Sequence, residues 1–497
     1  MPRSWVKIAS DAGMKYMVLT CKHHDGFSLW PTKARDDNIS ASPYKDGKGD
    51  LVKELVDACH KSGMRFGAYY SPRDWTHPDY GIDDNARYQE FMKIQINELL
   101  SNYGKIDLMW WDSFGVGDSI DYWHSDKFLD LAKKLQRAII NNNRCSFYDE
   151  TNRTGLEGDY DTPEQTIGKY QIDRPWESCI TLVGGQWAYM PGEHMMNSED
   201  VIRTLVMCAT GDGNLLLNVG PMPDGRIEPR QVEVLGQVGN WLKKYGESIY
   251  GTSGGPFRNG QWGGATFKDN AVYLHVLKSA PDAVVLPKLN EKLVSAVNLT
   301  GSEVTATEKN GQIRVTIPDA GRAAGDTVIK LVTDKNVTRV DGEIKMSSSV
   351  INGLDEISTD ATYTVSSLVD LWSSEVETLL KGTCRSGFAF HTNDEKNPWI
   401  IIDLKKEKSV GAVLIENRSD ELQDRAKTLT MWVSSDGKSW VQVWMAEVAS
   451  GQWTAIPEKI QAGATVKPVQ ARYIKLGLDT ETPTALHLRS VAVFGKD

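Results

Sequence analysis

The sequence predicts a multidomain protein: a (β/α)8-type barrel that lacks its first strands, followed by two all-β sandwich domains, the last of jelly-roll type. Three observations predict it. Short apolar runs alternate with amphipathic helical text over residues 1–248, helical periodicity stops near 249, and everything after that reads as short alternating strands between turn residues. A length of 497 residues, against ~100–200 residues per domain, fits three domains, drawn at 1–248, 249–336 and 337–497.

In the first zone, strands are predicted at 14–20 (MKYMVLT), 64–71 (MRFGAYYS), 106–112 (IDLMWWD), near 145–148, near 178–183 and at 214–220 (NLLLNVG). Helices are predicted at 51–63, 86–104, 126–139, 198–210 and 229–246. A βαβα rhythm means a parallel sheet covered by helices. Gly63, Gly104 and Gly246 stand where helix C-terminal glycines belong. Polar and ring residues gather just after the strands (CKHHDGF, YYSPRDW, WWDSFG), at the mouth where such barrels carry chemistry. An open doubly wound sheet fits less well, because no glycine-rich phosphate loop follows an early strand. Six βα repeats are visible rather than eight, and the helical text SWVKIASDAG directly precedes the first strand, so the chain is expected to begin about two strands into the barrel.

Residues 249–336 carry AVYLHVLK, KLVSAVNL, QIRVTIP and TVIKLVT, the pattern of a small antiparallel sandwich. The last zone holds NPWIIIDL, VGAVLIENR, LTMWVSSDGKSWVQVW, ARYIKLGL and LRSVAVFG, with Asp436-Gly437 supplying a hairpin turn.

A net charge of −10 argues against nucleic acid as a partner, since phosphates demand a basic face. No apolar stretch is long enough to insert into a membrane, and MPRSWVKIASDAG does not read as a signal peptide. The six cysteines form no CxxC pair and no zinc-ligand spacing, and several sit in apolar text as buried thiols. Sixteen Trp and 17 Tyr supply rings that can stack on sugar faces, though core packing accounts for most of them.

Asp112 ends an apolar strand, so its carboxylate points into the mouth, and alternation puts Trp110 on the same side. A helix N-cap is the dull explanation for such an Asp. The adjacent His23 and His24 end the first visible strand. Alternation turns only one of them to the mouth and no third ligand stands at a familiar spacing, so hydrogen bonding to hydroxyls is expected rather than metal ligation.

Taken in order, KYMVLTCKHHDGFSLW, GMRFGAYYS, IDLMWWDS, INNNR, GDYDTPE and GNLLLNVGPMPDG strongly resemble the α-L-fucosidases of glycoside hydrolase family 29, over essentially all of residues 1–250. The resemblance implies a retaining exo-α-L-fucosidase acting on terminal fucose of glycans through a covalent fucosyl-enzyme. Asp112 matches the nucleophile; His23 and His24 match the pair that binds fucose hydroxyls; Tyr69 and Trp110 match the lining of the sugar site, with Tyr70 turned to the helices. Arg144 matches the arginine near the acid/base, a surface ion pair being its plain alternative. The acid/base is drawn from Glu150, Glu157, Asp161 and Glu164; Glu164 in TPEQ matches the family position best, Glu150 is the fallback, and a partly desolvated setting is expected. Family members carry a further sugar-binding His and an acidic/aromatic pair in their first strands, and nothing before Met14 supplies them.

The text FAFHTNDEKNPWIIIDL, continuing through ENRSDELQDRAKTLTMWVSSDGKSW, resembles the coagulation factor 5/8 C-terminal (discoidin-like) domain, a galactose-binding-like jelly roll. His391, Arg418 and Arg425 fall where fucose-binding relatives place one His and two Arg, although the cysteines that come after the first Arg in those relatives are missing. A structural accessory domain is the alternative. No cofactor is implied beyond a structural Ca²⁺ held by some relatives, and no ligand run here demands one. The expected partners are fucosylated glycans; the family implies a periplasmic or extracellular setting. Two other functions stay open: an impaired or truncated barrel whose working part is the glycan-binding module, and a glycosidase of the same mechanism acting on another 6-deoxy sugar.

Overall fold

The computed structural model describes residues 2–82, 85–112, 125–145, 158–167, 174–257, 259, 262–277, 283–309, 312–318, 322–339, 354–369, 376–381, 388–418, 423–426, 428–446, 452–455 and 468–496. The chain divides into two compact units, one of Met1–Gly254 with Ala324–Asp326, the other of Gly255–Ala323 with Thr327–Asp497.

In the first unit, α1 (Pro2–Asp11) leads into β1 (Tyr16–Lys22), α2 (Leu51–Ser62), β2 (Arg65–Tyr70), α3 (Ala86–Asn102), β3 (Leu108–Trp111), α4 (Ser125–Leu135) and β4 (Ile140–Asn141). After these come β5 (Glu177–Thr181), α5 (Ser198–Thr210), β6 (Asn214–Asn218), α6 (Pro229–Tyr245) and the short β7 (Ser253–Gly254). Strands β1-β2-β3-β4 form one parallel sheet in that order, and β5-β6 form another. Between them runs an extended segment: Tyr160 bridges Asn142, while Asp161 and Glu164 bridge Trp176 and Cys179, all in parallel sense. Among the described residues, no ladder joins β6 to β1.

The strands show the expected period of two. Leu108 and Trp110 of β3 join Tyr160, Cys179, Tyr16, Val18, Tyr69 and Leu216 on the inner face. Met109 and Trp111 join the larger core formed with the helices, where α2 contributes Val52, Leu55, Val56 and Cys59. Helix α2 starts where Asp50 accepts the N–H of Lys53 and stops at Gly63, whose φ of 71° only glycine adopts readily. Gly246 differs from this expectation: its φ is −61° because the chain continues directly into a 3₁₀ turn, Gly246–Ser248. Ile140–Asn141 forms β4 and Asn143–Cys145 a 3₁₀ turn, while 146–148 of the strand expected near 145–148 lie outside the described residues.

In the second unit, β8 (Gly263–Lys268), β9 (Ala271–Val276), β11 (Leu293–Asn298) and β14 (Thr327–Thr333) form an antiparallel sheet in the order β11-β14-β9-β8. Strands β10 (Ala283–Pro287), β12 (Thr305–Lys309) and β13 (Gln312–Thr316) form another, in the order β10-β13-β12. Leu274, Ile329, Leu331, Leu286, Ile313 and Val315 share one core between these sheets.

A separate core lies within the remaining strands: β15 (Asp355–Glu356), β16 (Thr362–Val365), β17 (Trp399–Asn417), β18 (Leu429–Ser434), β19 (Val441–Met445), β20 (Gln452–Ala455), β21 (Val469–Leu478) and β22 (Leu488–Lys496). Strand β17 shifts register between Asp403 and Lys408. Its first part pairs β16, its last part pairs β20 and β22, and β21 pairs it on both sides of the shift, so one long strand ties together a single 8-stranded sheet. The hairpin at Asp436-Gly437 forms as expected: Gly437 has φ 72°, and Asp436 Oδ1 accepts the N–H groups of Lys438 and Ser439 at 2.8 Å each.

Candidate active site

Asp112 comes directly after β3, and its N–H still donates to Tyr70 O at 3.3 Å, so the carboxylate leaves the strand at the sheet's C-terminal edge. The parallel register sets Tyr69 opposite Trp110. Their rings stack at 5.5 Å and 16°, and the Tyr69 hydroxyl donates to Asp112 Oδ2. Burial, with the Asp112 charge beside it, pushes the Tyr69 phenol far above its ordinary range, so it remains a donor. Tyr70 points the other way and donates to Gln95 Oε1 of α3 at 2.8 Å, as alternation requires.

His23 and His24 both lie beyond the last residue of β1, so strand alternation no longer separates them and both reach the site. This corrects the expectation that only one does. His24 Nε2 is 3.4 Å from Asp112 Oδ2, and Nδ1 is 2.5 Å from Ser71 Oγ. Facing a carboxylate, Nε2 carries the proton. Burial pulls the His24 pKa down to about 4, against the opposing pull of Asp112, so the ring is neutral near pH 7. The His23 ring lies 6.0 Å from Tyr69 at 13°, extending the Trp110–Tyr69 stack. Ligand atoms of His23, His24 and Asp112 all lie within 4.8 Å of one another. Two imidazoles and a carboxylate could hold a divalent cation with positions left open, and they suit a pair of sugar hydroxyls equally well. Sequence spacing hides this third ligand because it comes from a different strand.

The histidine loop is built from below by buried charge. Lys22 is fully buried and donates to Ser71 O at 2.8 Å and Arg73 O at 2.9 Å. Gly26 has φ +79°, and a Cβ there would fall 2.3 Å from Asp74 Oδ1, so the turn after the histidines requires glycine. Asp74 in turn accepts from Arg35 Nη1 at 3.0 Å.

Arg144 approaches from the opposite side. Its Nη1 donates to Glu164 Oε2 at 2.7 Å and stands 4.0 Å from Asp112 Oδ1. Thr162 fixes the guanidinium through its hydroxyl at 3.2 Å and its carbonyl at 3.1 Å, and the group lies 5.4 Å over the Trp110 ring. Arg144 therefore joins both carboxylates rather than making a separate surface pair. Glu164 is 40% exposed at its side chain, a wetter setting than the desolvated one expected. Asp161 pairs instead with Arg174 at 2.7 Å, and Glu150 and Glu157 lie outside the described residues.

In the second unit, Arg418 is buried, at 6% exposure, with its guanidinium 4.7 Å over the Phe388 ring. The His391 ring is 5.6 Å from that same ring. Sequence reasoning missed His487, whose Nδ1 is 3.3 Å from Arg418 Nη1 and whose ring is 5.4 Å from His391. It lies in ALHLR, just before β22, where no local pattern distinguishes it from strand text. Arg425 lies in the turn Gln423–Ala426, and no hydrogen bond, ion pair or ring contact among the described residues joins it to the other two.

Parallel strands covered by helices, with charged and ring side chains gathered beyond the strand ends, define the α/β-barrel class of site. Residues 1–247 match the family model for α-L-fucosidase, and residues 358–490 match that of the F5/8 type C domain. The chain is 32% identical over 320 residues to the tissue α-L-fucosidase of Rattus norvegicus, covering 60% of this chain and 66% of that protein. The solved α-L-fucosidase isoenzyme 1 of Paenibacillus thiaminolyticus is 33% identical, with a TM-score of 0.61 over 67% of this chain and 86% of its own. A Bacteroides thetaiotaomicron α-L-fucosidase, solved as a trapped covalent intermediate with 2-fluoro-fucosyl fluoride, is 26% identical, with a TM-score of 0.61 over 67% of this chain and 82% of its own. This chain belongs to the α-L-fucosidase family, glycoside hydrolase family 29. It spans 66% of the rat protein's length.

Proposed function

We propose that the chain is a retaining exo-α-L-fucosidase. One observation carries the reading: Arg144 Nη1 lies within 4.0 Å of oxygens from both Asp112 and Glu164, so two carboxylates from different segments face one space at the strand ends. Asp112 Oδ2 is occupied by Tyr69 and His24, which leaves Oδ1 as the attacking oxygen. In the first step Oδ1 bonds to the anomeric carbon while the glycosidic oxygen leaves with a proton from Glu164. In the second, Glu164 takes a proton from water, whose oxygen replaces Asp112 at that carbon. His23 and neutral His24 hold sugar hydroxyls, and the Trp110–Tyr69 wall suits a sugar whose C6 is a methyl group. The ring of strands is read as the (β/α)8 type and the chain as three domains, 1–248, 249–336 and 337–497.

The residues His391, Arg418 and Arg425 are proposed to bind a glycan, with His487 joining them, and fucosylated glycans outside the cytoplasm, periplasmic or extracellular, are the proposed substrates. The shared neighbourhood of Phe388, His391, Arg418 and His487 supports that site, with the Arg418 guanidinium buried within it and Arg425 set apart in its own turn.

The test is hydrolysis of a chromogenic aryl α-L-fucoside with the product watched by proton NMR. The parent should release α-L-fucose first, with net retention, before the sugar mutarotates. Asp112→Ala should lose at least about a thousandfold in kcat/KM. Net inversion, or an Asp112→Ala variant as active as the parent, would sink the reading.

A further inference from the structure

Glu177 is a buried carboxylate that no step of the proposed reaction uses. It opens β5 and is 3% exposed. Three neutral donors converge on it: the Tyr16 hydroxyl from β1, Trp110 Nε1 from β3 at 3.2 Å, and the Tyr160 hydroxyl at 3.4 Å. Among the described residues no cation pairs with it. Burying a carboxylate without a counter-ion is expensive unless its hydrogen bonds are complete, so this group commits four segments to one geometry. What it holds is informative. The Trp110 ring stacks with Tyr69 and also lies 5.4 Å from the Arg144 guanidinium, and both of those groups reach Asp112.

We propose that Glu177 is a positioning residue for fucoside recognition, fixing the Trp110 indole so that Tyr69 and Arg144 meet the nucleophile and the sugar at the right separation. The proposal rests on the fucosidase reading. Glu177 contacts neither Asp112 nor Glu164 among the described residues, and its side chain does not reach solvent, so it exchanges no proton with substrate or water. It acts through Trp110. Because Trp110 is a wall of the site rather than a reacting group, the loss of its anchor should appear mainly in sugar affinity.

The decisive variants are Glu177→Gln, whose oxygen can still accept the indole N–H, and Glu177→Leu, which fills similar space and accepts nothing. Glu177→Leu should raise KM for the aryl α-L-fucoside, and the dissociation constant for L-fucose by calorimetry, by about tenfold while kcat falls less than about threefold. Glu177→Gln should recover most of the affinity. Where Glu177→Leu fails to fold, a cycle of Glu177→Ala with Trp110→Phe decides: the loss of affinity caused by Glu177→Ala should largely vanish once the indole N–H is gone. Unchanged affinity in a folded Glu177→Leu overturns the proposal, as does additivity in the cycle, or a collapse of kcat in Glu177→Gln at unchanged KM. An inert parent would defeat the fucosidase reading instead, and the L-fucose dissociation constants would still test Glu177.

Discussion

Lys22 shows how the histidine pair is held, and its replacement by Met has a size that can be worked out. Met keeps an unbranched chain and removes the charge. The ammonium makes two bonds to buried carbonyls, at 2.8 and 2.9 Å. Each bond from a charged donor is worth about 1.5–3 kcal/mol. Against that stands burial, which lowers the Lys22 pKa from 10.5 to about 7 despite the attraction of Asp74, a charging cost of about 5 kcal/mol. The two nearly cancel, so Lys22→Met should change stability by no more than about 2 kcal/mol at pH 7. The pH dependence is sharper. Between pH 7 and 10.5 the unfolded chain keeps a proton that folded Lys22 releases, so this group's contribution to stability grows as pH rises. Urea unfolding of parent and variant at about pH 7, 8 and 9 isolates it: the parent should gain about 2 kcal/mol on Lys22→Met over that span. A difference that stays flat, or shrinks, would mean that Asp74 at 3.8 Å and the two carbonyls keep the ammonium charged, and the reasoning would be refuted.

Two more outcomes are expected from the same geometry. Arg144→Lys keeps the charge but cannot serve Glu164 and both Thr162 oxygens at once, so kcat/KM on the aryl fucoside should fall by about 10- to 100-fold; a drop under about threefold would show that the fork does not matter. His24 has a folded pKa of about 4 against 6.5 unfolded, so the unfolded chain binds the extra proton between those values and stability is lost as pH falls through that window. With the ring partly exposed, this amounts to about 1–2 kcal/mol, which His24→Gln should remove; equal urea midpoints against pH in both proteins would contradict it.

Much of the first unit was legible because its signals are local. Asp50 and Gly63 bracket α2 in the sequence as they do in the fold, and the period of two in LMWWD assigns Trp110 inward and Trp111 outward without any partner being known. The failures have a common cause. Gly246 keeps a right-handed φ because the next turn continues the coil, and after the short β4 the chain makes a 3₁₀ turn that carries Arg144, which no strand or helix pattern in INNNR announces. In both places the neighbouring residues along the chain, rather than the residue itself, set the backbone.

The site was legible to the extent that it is made of strand ends, and illegible where it is made of approach. Alternation gives Asp112 a direction, but it cannot bring Glu164 within reach of the same guanidinium from a segment that bridges Cys179 of β5. Nor can it show Glu177 as a support: in WESCIT the residue reads as a polar start to an apolar strand, and only Tyr16 and Trp110, far away in sequence, give it a purpose. Chemistry and frame separate on the same grounds. Asp112, Glu164 and Arg144 are placed by short-range contacts at the mouth, whereas the spacing of the wall they work against is set by one buried carboxylate on the inner face. A change at the mouth should therefore lower kcat, and a change beneath the wall should raise KM. A family motif names the first group residue by residue and leaves the second to be found in the structure.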